Sequence, residues 1–285
     1  MSLTELEPRD AHAVPEIVAR IGHSTNLVGL PTGLIASEAF NRAGLPLRLA
    51  GVREANHGLF AMLEQASSPD QAATLFTAYL EVVFGLHPEQ RRSAAGRHDG
   101  RRRYRSSYLR LLRGWAYDSN GPEGAVLKGW VESRFGLFPT FHKQPLQRFS
   151  SPPWIRYVEE KMGSRFHNNS IYGQLDLLYE FAQWSLARFS PDLVVVPLYR
   201  GVNEFDEHPI VERIDRRNVI VRVNNLVSFS GERDIAGWFG SVILEAAVPV
   251  CKIAFFNALL PQAPLKGEGE YLVIGGDYRV RTGYF

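Results

Sequence analysis

The chain has 285 residues, of which 45% are hydrophobic and 12% aromatic, enough apolar material to bury a core without disulfides or a structural metal. Its 32 basic and 30 acidic side chains give a formal net charge of +2, which is too balanced to make nucleic acid or a membrane surface an obligatory partner. We therefore expect one domain or two tightly packed ones, with no nucleic-acid partner.

The first two thirds of the chain are predicted to be mainly helical. Ser68, Pro69 and Asp70 supply a capping hydroxyl, a first-turn proline and an acid at the start of one helix. Apolar side chains then recur at helical spacing at Ala72, Leu75, Phe76, Tyr79, Leu80 and Val83. Weaker patterns predict further helices over residues 107–117, 124–135, 153–162 and 171–189.

The last third changes character at Pro191 and is predicted to be rich in strands. Segments 192–199 and 219–223 are short, β-branched and bounded by turn residues. A helix beginning near Asp234 is predicted to interrupt them, with an apolar face of Ile235, Trp238, Phe239, Val242, Ile243 and Ala246. A strand ending at Phe256 follows, and after it come final strands at 271–274 and 278–280, joined by a turn at 275–277.

This order of elements predicts the α+β class. We expect a mainly helical amino-terminal lobe over residues 1–165 and a β-rich core over residues 166–285, as two lobes or as one compact unit.

The cysteine content and the amino-terminal residues bear on the compartment. Cys251 has no partner for an internal disulfide and lies in an apolar run, so we expect a buried small hydrophobe in a reducing environment. The start at Met1 lacks a basic segment followed by an apolar one, and no stretch approaches the ~18 apolar residues of a membrane span. These features predict a cytoplasmic protein.

Arg200 and Gly201 follow the predicted strand 192–199. The glycine leaves room for a ligand to approach the backbone, and the guanidinium suits a bidentate phosphate clamp. The alternative is an arginine paired with a surface carboxylate at a strand end, which is more common for an isolated Arg-Gly pair.

Ser228, Phe229 and Ser230 form the second polar feature. If the strand continues through them, both serines face one side and Phe229 faces the other. The alternative is a half-buried strand that runs into a helix cap.

Glu268 and Glu270 form the third, at the entrance to the predicted strand 271–274. Two carboxylates separated by one residue point to the same side of a strand, where a cationic ligand would offset their repulsion. The alternative is a solvated acidic loop.

Together the three features match the requirements of NAD glycosidic cleavage. An arginine suits the pyrophosphate, hydroxyls and an aromatic ring suit a nucleoside, and paired acids suit an electron-poor reaction centre. The ribosyl centre becomes cationic as nicotinamide leaves, so a nearby carboxylate gains interaction energy mainly in the transition state.

At these residues the chain resembles the Arg-Ser-Glu class of mono-ADP-ribosyltransferases. Arg200, Ser228 and the Glu-Gly-Glu of 268–270 match, in the same order, the arginine, the Ser-x-Ser strand and the Glu-x-Glu turn of that class. Phe229 is a departure, because many members have threonine between the serines. The chain is also similar to the dinitrogenase reductase ADP-ribosyltransferases, through residues 22–33, 138–142 and 267–279, so the resemblance covers nearly the whole chain.

The resemblance implies NAD as co-substrate, no metal, and an ADP-ribosyltransferase-like split β-sandwich core beside the helical lobe. It implies the nitrogenase iron protein as the arginine-bearing acceptor, inactivated by the transfer, and a PII-type signal protein as regulator. Glu270 is expected to hold the nicotinamide ribose and stabilise its cation, while Glu268 receives the acceptor guanidinium.

The other expected site residues bind the nucleotide. Arg200 would grip the pyrophosphate or its adjoining ribose, Ser228 would brace the cleft, and Phe229 or Phe239 would form an apolar wall for nicotinamide. The full set of expected binding residues is Arg200, Gly201, Ser228, Phe229, Ser230 and Phe239.

Other functions stay open at this point. An NAD glycohydrolase, or a transferase with a different protein acceptor, would use the same residues. A basic run within 91–105 could instead serve a binding module without catalysis, although a solvated or protein-docking loop suits this run better. The histidines show no metal-ligand spacing with cysteine.

Overall fold

The computed structural model of the chain describes residues 21–87, 106–163, 165–168, 170–203, 205, 208–261 and 269–284. The helices in these ranges are α1 (Thr32–Ala36), α2 (Glu38–Ala43), α3 (Val52–Ala55), α4 (His57–Leu63), α5 (Pro69–Val83), α6 (Tyr108–Tyr117), α7 (Pro122–Phe135), α8 (Pro152–Lys161), α9 (Ile171–Phe189) and α10 (Arg233–Gly237). The strands are β1 (Phe141–His142), β2 (Gln144–Pro145), β3 (Val195–Val202), β4 (Ile210–Arg213), β5 (Asn218–Ser230), β6 (Val242–Pro249), β7 (Ile253–Phe256) and β8 (Glu270–Tyr284).

The longer helices begin where their capping residues predict. The hydroxyl of Ser68 accepts a hydrogen bond from the backbone N–H of Gln71 at 3.2 Å at the start of α5, and Ser107 caps α6 in the same way. The five helices predicted in the first two thirds are confirmed, with ends that shift by at most two residues.

A six-stranded antiparallel sheet carries the predicted polar residues. Strand β8 pairs with β5 and β6, β6 pairs with β3, and β3 meets β5 again through the Tyr199–Ser230 pair. These four strands therefore close on one another, while β4 and β7 pair outside this ring with β5 and β8. Helices together with an antiparallel sheet confirm the α+β class.

The predicted helix from Asp234 to Ala246 is wrong beyond its first turn. The chain forms only the five residues of α10 and then enters β6 at Val242. Strand β6 lies between β3 and β8, which pair with both of its edges, and its sequence is apolar except for Glu245. Such a run matches helical spacing by coincidence.

The predicted turn at 275–277 is also wrong, because β8 runs without interruption from Glu270 to Tyr284. A Cβ at Gly275 would collide with the carbonyl oxygen of Asn224, and one at Gly276, where φ is +133°, with that of Ala36. The two glycines therefore allow close backbone packing within a strand.

The hydrophobic core joins helices and sheet. Its largest cluster includes Leu59, Phe76, Phe181, Phe255 and Ile274, which come from both sides of position 165. The division at residue 165 itself stays a prediction. Among the residues that the structure describes, no helix has the length and apolar character needed to cross a membrane.

Candidate active site

A cleft of about 650 Å³ contains most of the residues that the sequence singled out. Its walls come from the end of α6 and the two residues that follow it, from β3, from the end of β5, and from Ala236 and Phe239 at the end of α10 and just after it. This volume is in the range of small-ligand sites. A larger cavity of about 920 Å³, lined by Phe138, Phe149 and Trp154 among others, contains none of the predicted site residues.

Glu270 lies at the base of this cleft as the first residue of β8. It is only 5% exposed, and it stands opposite Ser230 in the β5–β8 register. Its Oε1 atom accepts a short hydrogen bond from the hydroxyl of Ser228 and a second bond, at 3.3 Å, from the indole N–H of Trp115. The carboxylate is therefore held by donors from two different elements.

Arg200 connects β3 to β5 beside this carboxylate. It lies inside β3, which continues to Val202, and not after the strand as predicted. Its Nε donates to Nε2 of His208 at 2.7 Å, and its Nη1 donates to the carbonyl oxygen of Ser228 at 2.8 Å. Ser228 thus links to Arg200 through its backbone and to Glu270 through its side chain.

Gly201 also packs against α10. A Cβ at this position would collide with the carbonyl oxygen of Ala236, so the glycine allows α10 to pack directly on β3. The group that closely approaches Gly201 is therefore the Ala236 carbonyl of α10, and Gly201 also lines the cleft.

The two phenylalanines in the cleft lining differ in exposure. Phe229 is among the residues that line the cleft, but it is 2% exposed and packs in a sheet cluster with Val227 and Tyr278. Phe239 is 57% exposed and lines the cleft. The predicted alternation explains this difference, because Phe229 points to the face opposite Ser228 and Ser230.

Two further predictions concern residues outside the described ranges. Glu268 lies there, and so does the basic run within 91–105. The structure does describe Gly269, whose φ of +54° favours glycine and whose carbonyl accepts from Gly231 N–H at 2.9 Å.

Trp115 and His208 contact the predicted residues but were missed in the sequence. Trp115 is 113 residues from Ser228 and 155 residues from Glu270, so no local spacing could reveal the contact. His208 is eight residues after Arg200, in a segment without helical or strand periodicity. Their partners became visible only when the fold was known.

A second buried histidine, His142, follows the cleft residue Phe141 in the chain. Burial, together with the nearby Lys128, lowers the pKa of His142 to about 4, although Nε2 lies 2.8 Å from Oε2 of Glu160. This imidazole points to α8 rather than to Glu270. Within the described ranges no group of three or more His, Cys, Asp or Glu side chains is placed to hold a metal ion.

Comparison with known proteins gives a consistent result. A family model described as dinitrogenase reductase ADP-ribosyltransferase matches residues 25–282. The NAD(+)–dinitrogen-reductase ADP-D-ribosyltransferase of Rhodospirillum rubrum is 62% identical over 265 residues, covering 93% of this chain and 96% of that protein. No solved structure matches significantly. The range matched by the family model includes Arg200, Ser228 and Glu270.

Proposed function

This chain belongs to the dinitrogenase reductase ADP-ribosyltransferase family, and from that premise we propose that it transfers ADP-ribose from NAD to an arginine of the nitrogenase iron protein. The Rhodospirillum rubrum relative is named for the same co-substrate and acceptor. The transfer would inactivate the iron protein.

The observation that carries this proposal is the buried carboxylate of Glu270, held by Ser228 and Trp115 at the base of the cleft. In NAD cleavage the bond between the ribose C1′ and the pyridinium nitrogen breaks. The electron pair goes to nicotinamide, which leaves as a neutral molecule, and positive charge develops on the ribose. A carboxylate fixed beside that charge stabilises the transition state more than the ground state.

The acceptor step needs a base. A guanidinium loses its proton only above pH ~12, so the arginine becomes nucleophilic as a carboxylate takes that proton during bond formation. We assign this role to Glu268 and the stabilisation of the ribosyl cation to Glu270. One bond forms between the guanidine nitrogen and C1′, and one proton moves to Glu268.

Arg200 and Phe239 are the proposed contacts for the rest of NAD. The Arg200 guanidinium is braced by His208 and by the Ser228 carbonyl, which gives it a fixed direction in the cleft. We propose that it contacts the pyrophosphate or the adjoining ribose. Phe239, half exposed at the cleft wall, would contact the nicotinamide ring.

Three finer assignments complete the proposal. We propose that residues 166–285 form an ADP-ribosyltransferase-like split β-sandwich, a fold that the closed arrangement of β3, β5, β6 and β8 supports. We propose a PII-type signal protein as regulator, by family resemblance. We also propose a cytoplasmic location, which suits the unpaired cysteine.

The test incubates the protein with labelled NAD and purified iron protein, then measures nicotinamide release and locates the label on the acceptor by mass spectrometry. Glu270→Gln should abolish both transfer and hydrolysis, whereas Glu268→Gln should lose transfer and keep some hydrolysis. Nicotinamide release without a labelled acceptor would indicate a glycohydrolase or a different acceptor. Near wild-type labelling by both variants would overturn the assignment.

A further inference from the structure

We propose that Trp115 is a positioning residue that sets the orientation of Glu270 through the hydroxyl of Ser228. This inference rests on the proposed function of the cleft. Trp115 belongs to α6, in the helical part of the chain, whereas Ser228 and Glu270 lie on β5 and β8. The helical part would then contribute directly to turnover.

The hydrogen bonds define a directed relay. The indole N–H of Trp115 lies 2.8 Å from the hydroxyl oxygen of Ser228 and 3.3 Å from Oε1 of Glu270. An indole nitrogen can only donate, so the Ser228 oxygen must accept from it. The hydroxyl proton is then directed to Oε1 of Glu270, where the short contact is found.

The indole itself is fixed on its other side. Trp115 is 3% exposed, and Nζ of Lys128 lies 5.9 Å from the centre of its ring. That ammonium donates to Oδ1 of Asn120 at 2.8 Å and to the carbonyl oxygen of Phe141 at 3.0 Å. The ring therefore has little freedom to turn away from Ser228.

Close packing of α6 on α7 places the tryptophan at this depth. A Cβ at Gly114, the residue before Trp115, would collide with the side chain of Glu123 on α7. The glycine lets the two helices approach, and that approach carries the end of α6 into the cleft wall.

Trp130 offers a matched control. It is also 3% exposed, and its indole N–H donates to a carboxylate, Oδ1 of Asp176, at 2.8 Å. It does not line the cleft. Replacing either tryptophan by phenylalanine removes one N–H and leaves an aromatic ring, so the two variants suffer comparable structural losses.

The experiment compares Trp115→Phe with Trp130→Phe in steady-state NAD cleavage and in thermal unfolding. We expect Trp115→Phe to lower kcat by about 10-fold, the effect of losing a hydrogen bond to a charged group, with KM for NAD changed less than about twofold. Trp130→Phe should lower Tm by a similar amount and leave kcat unchanged. Equal kcat in the two variants would overturn the positioning role.

A rescue variant distinguishes the effect of the N–H donor on kcat from the effect of the ring volume. In Trp115→His the imidazole Nε2 occupies the ring position of the indole nitrogen, whereas Trp115→Leu has similar size and no donor. We expect the histidine variant to keep a higher kcat than the leucine and phenylalanine variants, despite the cavity that it leaves. A phenylalanine variant more active than the histidine variant would overturn the proposal in favour of packing.

If Trp115→Phe does not fold, the comparison of Trp115→His with Trp115→Leu still shows whether turnover depends on the N–H donor or on packing. Failure of the underlying function is recognised separately, because in that case the wild-type protein releases no nicotinamide from NAD. An active wild type with unaffected Trp115 variants overturns the positioning role alone.

Discussion

Asp176 and Glu270 are two buried carboxylates that each accept an indole N–H, yet their other partners differ. Asp176, on α9, also takes two charge-assisted bonds at 2.8 Å from Arg134 at the end of α7. Glu270 takes its bonds at Oε1 from a hydroxyl and an indole, both neutral, at the base of a cleft. The charge of Asp176 is neutralised within the scaffold by Arg134, whereas the carboxylate of Glu270 is held by a hydroxyl and an indole in the lining of the cleft.

A second scaffold carboxylate supports this distinction. Glu180 is fully buried on α9, where it accepts from Nε of Arg53 at 2.5 Å and from the backbone N–H of Leu49 at 2.7 Å. Both scaffold carboxylates therefore connect α9 to other elements through arginine. The difference in partners predicts which acid contributes to stability and which to catalysis.

The largest expected effect is on turnover. Glu270→Gln keeps the shape of the side chain and removes its charge, so it should lower kcat for nicotinamide release by at least about 100-fold, as expected for loss of a group that stabilises transition-state charge. The free energy of unfolding should change little, because the amide can keep both hydrogen bonds. A variant with wild-type turnover would contradict the comparison.

The opposite result is expected at the scaffold site. Asp176→Asn leaves Arg134, whose side chain is 19% exposed, without its counter-ion and should destabilise the fold by about 3 kcal/mol. The KM for NAD and kcat should stay at wild-type values below the lowered Tm. Urea unfolding and nicotinamide release test the two halves of this prediction. Lost turnover at full stability would place Asp176 with the catalytic acids.

The elements that the sequence predicted well are those whose signals are local. Helices α5 and α9 carry their periodicity, and in α5 the cap, within one segment, so they were located closely. Strand β6 was mistaken for a helix because the strands that pair with its two edges, β3 and β8, are distant in sequence and leave no local signal. Gly275 and Gly276 resembled a turn because the backbones that crowd them belong to other segments.

The site residues likewise divide into those with local sequence signals and those whose contacts depend on the fold. Arg200, Ser228 and Glu270 were singled out by their local chemistry and by the resemblance of their order and context to the Arg-Ser-Glu class. The partners that hold them, Trp115 and His208, have no signature in the sequence, because their contacts depend on how α6 and the segment after β3 fold over the sheet. Side-chain direction was predicted by strand alternation, which separates Phe229 from the serines.

Arg200 could belong to either group, the scaffold or the NAD site, because its bonds to His208 and Ser228 resemble those of a scaffold arginine. If it also grips NAD, Arg200→Ala should weaken NAD binding by about 1.5 to 3 kcal/mol, or roughly 10- to 150-fold in Kd. Arg222→Ala is the control, since Arg222 pairs with Asp277 outside the cleft at 2.7 Å. It should lower stability and leave the calorimetric Kd unchanged. An unchanged Kd in Arg200→Ala would make Arg200 a scaffold residue only.

The smallest expected effect concerns a buried cation whose hydrogen bonds go to neutral carbonyls. Lys252 is fully buried, and its Nζ donates to the carbonyl oxygens of Ile35 at 2.7 Å and Gly275 at 3.0 Å. Burial lowers its pKa from 10.5 to about 7, against smaller opposing effects of Cys251 and Asp277. Unlike Arg134, this cation has a carboxylate only at longer range, so its charge is costly to the fold.

The sign of the pH dependence follows from the direction of that shift. Between pH 7 and pH 9 the unfolded chain keeps a proton on Lys252 that the folded chain has released, so this group makes stability rise with pH, by at most about 1.4 kcal/mol per unit. Above pH 9 the raised pKa of Cys251, about 11, acts in the opposite direction, which sets the upper end of the window. Lys252→Met removes the titration and keeps an unbranched side chain. Urea unfolding at pH 7, 8 and 9 should therefore show the stability of wild type rising relative to the variant, whereas parallel curves would mean that Lys252 keeps its proton in the folded state.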